Sequence, residues 1–444
     1  MTANASASDE SIGTMPADVE ADTREDAIEA AEAQPDFPET AEDRVRAMAQ
    51  QFINDRGLLQ GGMGNPGGAV VEVGIATVNM PLNADWSAAR INAFDNAIIN
   101  AQQSILFSTV VDSLQETVRT QYDDIAALGP DEGREPPRDR FEMIMRKVEA
   151  LGEKTLDAAL MKFGMTEAEL ADLTIEKKRV IHQNQLVNTT MQKTRGVLSG
   201  TRVVQSFEAN VGNDFAAGVV VISKPSYRDV ADLIVHGGQL AEPAEGGKPL
   251  AEWIGGATEE ELMDTYGVRV YPDENGQPIV VAFAQAGVPD RPGSASRMTQ
   301  RVRQGAYRIA EQKAVGMITQ YANTTANAER SSTTGGELED AELTDLGTGV
   351  TRDVEGVERQ IAKSLEEFRS QSSAKIYGTS VVRRWRYVHP TAKKEVVGVM
   401  VAWSPASSDA AKDRQAGKQR TNKKEPEPKA SQDGKRRGID SPID

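Results

Sequence analysis

Gly62, Gly64 and Gly67 stand in the spacing G-x-G-x-x-G, a pattern that can bind a dinucleotide pyrophosphate. That chemistry needs the glycines after a strand and at the start of a helix, where free N–H groups meet the phosphates. Here a helix-forming stretch precedes them, a strand-forming stretch follows, and Pro66 sits inside, so the segment reads as a hinge. Gly246-Gly247-Lys248-Pro249 lacks the leading glycine and the Ser/Thr of a phosphate loop and reads as a loop. The histidines His182, His236 and His389 lie far apart in the chain, and none has a ligand-spaced partner. A zinc site needs several convergent donors. Glu259-Glu260-Glu261 suits the first turn of a helix, where carboxylates meet the positive end of the dipole. Glu337-Leu338-Glu339-Asp340 lacks calcium-loop spacing. No G-x-S-x-G elbow, H-E-x-x-H pair or kinase set is present. No residue is therefore assigned a catalytic, cofactor-binding or metal role, and no cofactor is expected.

Two stretches could touch nucleic acid. Arg383-Arg384-Trp385-Arg386-Tyr387 mixes cations with aromatics, as single-strand binders do. The matching place earlier in the chain holds Phe207, which favours a strand with Trp385 turned into the core and arginine outward. The tail carries Lys418, Arg420, Lys423 and Lys424, then Lys435-Arg436-Arg437. It reads as solvated and disordered, and nucleic acid would be reached only through residues 409–444.

Composition narrows the choices. The chain has 444 residues, 50 Lys/Arg, 67 Asp/Glu and a net charge of −17. Residues 1–46 hold 13 acids and three arginines, a balance of −10, and residues 409–444 hold ten cations and seven acids, a balance of +3. The body between them is left at −10, which argues against broad duplex binding, because that needs a cationic face. The absence of cysteine excludes disulfides, thiolate metal sites, cysteine nucleophiles and a cysteine-linked lipid. No apolar run reaches the roughly 18 residues of a membrane span. The start, MTANASASDESIGTMPADVE, has no basic n-region and no apolar h-region. The compartment stays open: cytoplasmic or particle-associated as written, extracytoplasmic if a signal peptide was removed.

The elements that would position any site follow from periodicity. Residues 1–56 read as an acidic, largely disordered region with one helix over 41–56, and 57–68 as a Gly-rich hinge. A first α+β module spans 69–235: a strand over Val70–Val78, Asp85 as helix N-cap, and a long helix from Trp86 to about Ala127. Helical segments over 140–162 and 166–195 follow, then strands over 201–209 and 217–223 and a short helix over 226–235. Residues 236–265 read as a linker with a short helix. A second module spans 266–406 and opens on a hairpin with Asn275-Gly276 at its turn. Helices over 295–327 and 353–372 and strands over 376–388 and 395–403 complete it, and 407–444 reads as a basic disordered tail.

The modules share register. Gly200-Thr201-Arg202-Val203-Val204 matches Gly378-Thr379-Ser380-Val381-Val382, and Phe207 then falls on Trp385. Gly218-Val219-Val220-Val221 matches Gly398-Val399-Met400-Val401, and both strands soon reach proline, Pro225 and Pro405. In the long helices Ala93, Ala97, Ala101 and Ile105 fall on Ala306, Ala310, Ala314 and Ile318. Alanine every four residues keeps one helix face thin enough to lie close on a sheet. The expected class is α+β: two related modules, each a small antiparallel or mixed sheet packed by long helices, with disordered charged termini.

A strand, an Ala-rich helix (Ala89-Arg90, Ala93, Ala97, Ala101; Ala306, Ala310, Ala314) and a late hairpin (Gly218 to Val221; Gly398 to Val401) resemble the LPP20/FlgT-N type of domain. That group comprises small α+β domains of bacterial envelope lipoproteins and flagellar accessory proteins. The resemblance covers about half the chain and implies assembly or stabilisation of envelope structures rather than catalysis. The chain departs from the group in having no lipid-bearing cysteine and larger helical inserts. The expectation is a non-enzymatic structural or scaffold protein, associated with an envelope, appendage or particle, that works through a protein partner or self-association. The alternatives are a nucleic-acid-associated protein using the basic tail and a carboxylate-based hydrolase, which would need a cleft of converging Asp/Glu with raised pKa.

Overall fold

A computed structural model of the chain describes residues 39–61, 65–79, 86–122, 135–289, 296–333, 354–370, 376–390 and 392–415. The expected cap at Asp85, the Glu337-Leu338-Glu339-Asp340 stretch and the basic tail beyond Gln415 lie outside them.

The class is α+β, with two antiparallel sheets between helices. Helix α1 (Ala41–Asp55) precedes strand β1 (Val70–Asn79). Helix α2 (Trp86–Gln121) follows, then α3 (Pro137–Glu149), α4 (Glu153–Lys162), α5 (Glu167–Ala171) and α6 (Ile175–Thr194). Strands β2 (Arg202–Val211) and β3 (Asp214–Ser223) form a hairpin, closed by α7 (Pro225–His236). Two short helices, α8 (Leu250–Ile254) and α9 (Glu259–Met263), lead to β4 (Gly267–Pro272) and β5 (Pro278–Gly287). The rest is α10 (Ser296–Thr333), α11 (Val354–Ser370), β6 (Ser380–Val388), β7 (Glu395–Trp403) and α12 (Pro405–Gln415).

The first sheet runs β1-β3-β2 and the second β4-β5-β7-β6. Without β4, both read strand, helix, strand, strand, with the last strand in the middle. The registers agree in detail. Phe207 faces Gly218 and Trp385 faces Gly398. Each hairpin slips at the same place, between Val203 and Gln205 and between Val381 and Arg383. Gly200 and Gly378 both have positive φ, 71° and 86°. A Cβ on either would lie within 2.4 Å of the backbone of the closing helix, at Tyr227 and at Ser407.

The thin helix faces explain the packing. Ala93, Ala97, Ala101 and Ile105 are buried, as are Ala306, Ala310, Ala314 and Ile318. Helix α2 sits so low on β1 that a Cβ on Gly74 would fall 1.9 Å from the Ala97 carbonyl oxygen. The remaining faces differ. Helix α1 covers the far side of the first sheet with Val45, Ala49 and Ile53. On the far side of the second sheet Trp385 and Met400 join one core with Trp86, Phe94, Trp253 and Met263.

Three sequence expectations change. The two helices expected over 140–195 are four, because Leu151-Gly152 and Asp172–Thr174 interrupt them and Thr166 starts α5 with a capping box. The tail does not begin at Ser407: α12 runs to Gln415, packed under Gly378 as α7 is under Gly200. Residues 250–263, expected within a linker, bury Trp253, Ile254, Leu262 and Met263.

Candidate functional site

Three regions gather the chain's polar chemistry. The first is a buried seam between the two sheets. The first turns of α2 carry Arg90, whose guanidinium is inaccessible to solvent. Its Nε donates to Glu208 Oε2 on β2 at 2.6 Å, Nη1 to Gln285 Oε1 on β5 at 2.7 Å, and Nη2 to the Met263 carbonyl at 3.0 Å. Gln285 Nε2 donates to the Met263 carbonyl at 2.8 Å and the Thr265 carbonyl at 3.2 Å. Ser206 Oγ donates to the Asp264 carbonyl. His389 Nε2 lies 3.6 Å from Glu208 Oε1, and its ring lies 4.6 Å from that of Trp86.

Charge in the seam is balanced internally. Burial works against the Glu208 carboxylate, but Arg90 and His389 outweigh it and hold its pKa below the usual value. Asp264 stands at the rim with its side chain still reaching solvent. Partial desolvation, with Glu208 close by, pushes it up to about 6. Arg90 is tied to a carboxylate, an amide oxygen and a backbone carbonyl, so it has little left to offer an incoming anion. The arrangement joins the two sheets.

The second region is a cleft of about 310 Å³ between α2 and α10. That is the low end of the range for small-molecule pockets. Asp95 and Lys313 face each other at 2.5 Å, and the Tyr266 hydroxyl donates to Asp95, also at 2.5 Å. Val203, Val221, Val268 and Met317 line the apolar part. Thr201 Oγ1 donates to the Leu198 carbonyl at 3.0 Å, so it has no base beside it to make it a nucleophile. Cation and anion neutralise one another there.

The third region is the outer edge of β6. Each sheet has two edge strands. Edge strands β2 and β4 lie against each other where Gly267 meets Val203. Edge strand β1 starts under a bridge between Gly61 and Val71. Six of the nine residues of β6 are exposed, against one of ten in its counterpart β2, so the two copies of one strand have opposite environments. Arg384, Arg386 and Val388 lie on one face of β6, and Arg383, Trp385 and Tyr387 on the other. Trp385 is buried over Gly398, so it has no free ring for stacking a base. Among the described residues no strand pairs with the outer side of β6.

The residues singled out in the sequence end in separate places. Pro66 and Gly67 form a single turn before β1, and Asn65 is tied to Leu59 and Gly61. Lys248 of the Gly246–Pro249 loop lies over Trp253 at 4.2 Å. Glu259, Glu260 and Glu261 form the first turn of α9, and Glu261 completes a capping box with Thr258. His182 is buried on α6 with Nε2 2.6 Å from the Tyr122 hydroxyl, and desolvation lowers its pKa to about 4. His236 ends α7. Among the described residues no three His, Asp or Glu side chains converge as a metal site, and no helix is long and apolar enough to cross a membrane. Sequence reasoning placed Arg90 within a packing motif and missed its role in the seam. Its partners Glu208 and Gln285 lie 118 and 195 positions away.

Residues 141–236 match a family described as a domain of unknown function, DUF6844. No curated protein matches the chain. Among solved structures, the chain is similar to the 2.3 Å crystal structure of hypothetical protein FTT1539c from Francisella tularensis. The identity is 19% and the TM-score 0.48, over 84% of this chain and 92% of that one.

Proposed function

We propose that this chain is a non-enzymatic structural or assembly protein that works through contacts with other proteins. One contrast carries the reading. A polar cluster around Arg90 is closed on itself and joins the two sheets, while the outer edge of β6 has no paired strand among the described residues. An unpaired strand edge is a ready template for another chain, and folded proteins usually cover it. The resemblance to LPP20/FlgT-N domains supports the same reading, because those domains assemble or stabilise structures rather than catalyse.

The reading is tested on the full-length chain produced at native level in its own host. Gentle cross-linking, then sedimentation and mass spectrometry of the purified material, should yield a complex of fixed stoichiometry. A free monomer under all conditions, or turnover of a substrate in the α2–α10 cleft that is lost on substituting Asp95 and Lys313, would overturn it.

A further inference from the structure

We propose that the outer edge of β6 accepts one extended strand from a partner protein, and that this strand alternates acidic and apolar residues. The inference rests on the assembly reading and names the chemistry of the partner. Beyond the slip at Val382, β6 runs regularly from Arg383 to Val388, a length of about 20 Å. A strand laid along it would complete the hydrogen-bond ladder with its own backbone.

Side chains set the partner's character. Neighbours across adjacent strands lie on the same face and interact directly. On one face the incoming strand meets Arg384 and Arg386. Arg386 has no ion pair among the described residues. Arg384 reaches Glu311 at 3.0 Å, with both side chains well exposed, so that contact is weak and easily exchanged for a carboxylate of the partner. On the other face the strand meets the flank of Trp385 and the half-buried Tyr387, beside the apolar core of the second sheet, while Arg383 of that face turns its guanidinium to the Ile254 carbonyl. The best complement is acidic on the first face and apolar on the second.

The same charges argue against β6 of a second copy. Antiparallel pairing about Trp385 would put Arg384 opposite Arg386 twice, and a parallel pair would align like with like. Either is repulsive. Arg384 and Arg386 thus reject self-pairing while selecting an acidic strand.

The test uses a dye-labelled synthetic peptide of alternating Glu and Val, a matched peptide with Lys in place of Glu, and the full-length chain. Fluorescence anisotropy should show saturable binding of the Glu peptide, weakened by salt, and none of the Lys peptide. The double variant R384E/R386E should lose about tenfold or more in affinity for the Glu peptide and gain binding of the Lys peptide. Arg386→Glu alone keeps the test valid if the double variant unfolds, since Arg386 makes no ion pair among the described residues. No saturable binding of the Glu peptide, or equal binding by the charge-reversed variants, would overturn the assignment. If the wild-type chain still forms its fixed-stoichiometry complex in that case, the edge assignment falls while the assembly reading stands.

Discussion

The two sheets differ most at a pair of matched glycines. A Cβ on Gly218 would strike Val45 of α1 at 2.2 Å, whereas a Cβ on Gly398 would strike the Trp385 indole at 2.1 Å. In the first sheet a separate helix fills the space, and Phe207 stands aside against Phe52, ring centroids 5.9 Å apart. On the second sheet no such helix lies over the glycine among the described residues, and the strand's own larger aromatic folds over it. One backbone is thus finished in two ways, by an added helix or by a bigger side chain with α8 and α9 behind it. The second solution leaves the outer edge of β6 without a paired strand among the described residues.

The strongest way to break this comparison is to cut the link between its two sides. Arg90→Ala should cost about 3–5 kcal/mol, because it leaves the largely enclosed Glu208 carboxylate and the buried Gln285 amide without their cation. Chemical denaturation would measure this. Lys313→Met, at the partly exposed Asp95 pair, should cost under about 1 kcal/mol. Equal losses would show that the seam is no more than a surface pair.

Next comes the aromatic pair. Trp385→Ala should cost about 3–4 kcal/mol, since it opens a cavity over Gly398. Phe207→Ala should cost about half as much, because that ring is only half-buried. Thermal melts of both variants decide it, and a larger loss at Phe207 would reverse the assignment of which side chain fills its sheet.

Acid should act through the first module. His182 has a pKa of about 4 in the fold against 6.5 unfolded. As pH falls from 6.5 the unfolded chain takes up the proton first. Stability is therefore complete above pH 6.5 and drops by at most about 3 kcal/mol by pH 4. His182→Phe should flatten that slope in a pH series of unfolding curves, and an unchanged slope would place the acid sensitivity elsewhere.

The smallest effect is expected at two capping boxes. Thr166→Ala and Thr258→Ala should each cost about 1 kcal/mol. Only Thr258→Ala, beneath β6, should also speed hydrogen exchange in Arg383–Val388, which mass spectrometry can follow.

Much of this was legible in the chain. The matched Gly-Thr-x-Val-Val stretches and the alanine stripes fixed the strands, the long helices and the buried place of Trp385, because sheet and helix periodicities leave few alternatives for such patterns. Helix α12 was legible and overlooked: Pro405 follows β7 as Pro225 follows β3, which leads into α7. The polar composition of residues 406–415 hid it, since Ser and Asp residues compete with a helix for backbone hydrogen bonds unless packing supports it. The Arg90 seam could not be read, because its partners meet only when two separately patterned sheets come together. The open edge of β6 could not be placed either: Arg383, Arg384 and Arg386 mark a polar strand, but which strand lies outermost depends on pairing that only the assembled sheet reveals.

The contact of β2 with β4 makes the two hairpins unequal. Two free copies of the ancestral unit would each present the hairpin's outer strand. In this chain, with β4 added, one of those strands, β2, lies against β4, and the other, β6, pairs with no strand on its outer side among the described residues. Two outer strands of common design thus meet different ends in one chain: one is enclosed within the fold and the other stays at its surface.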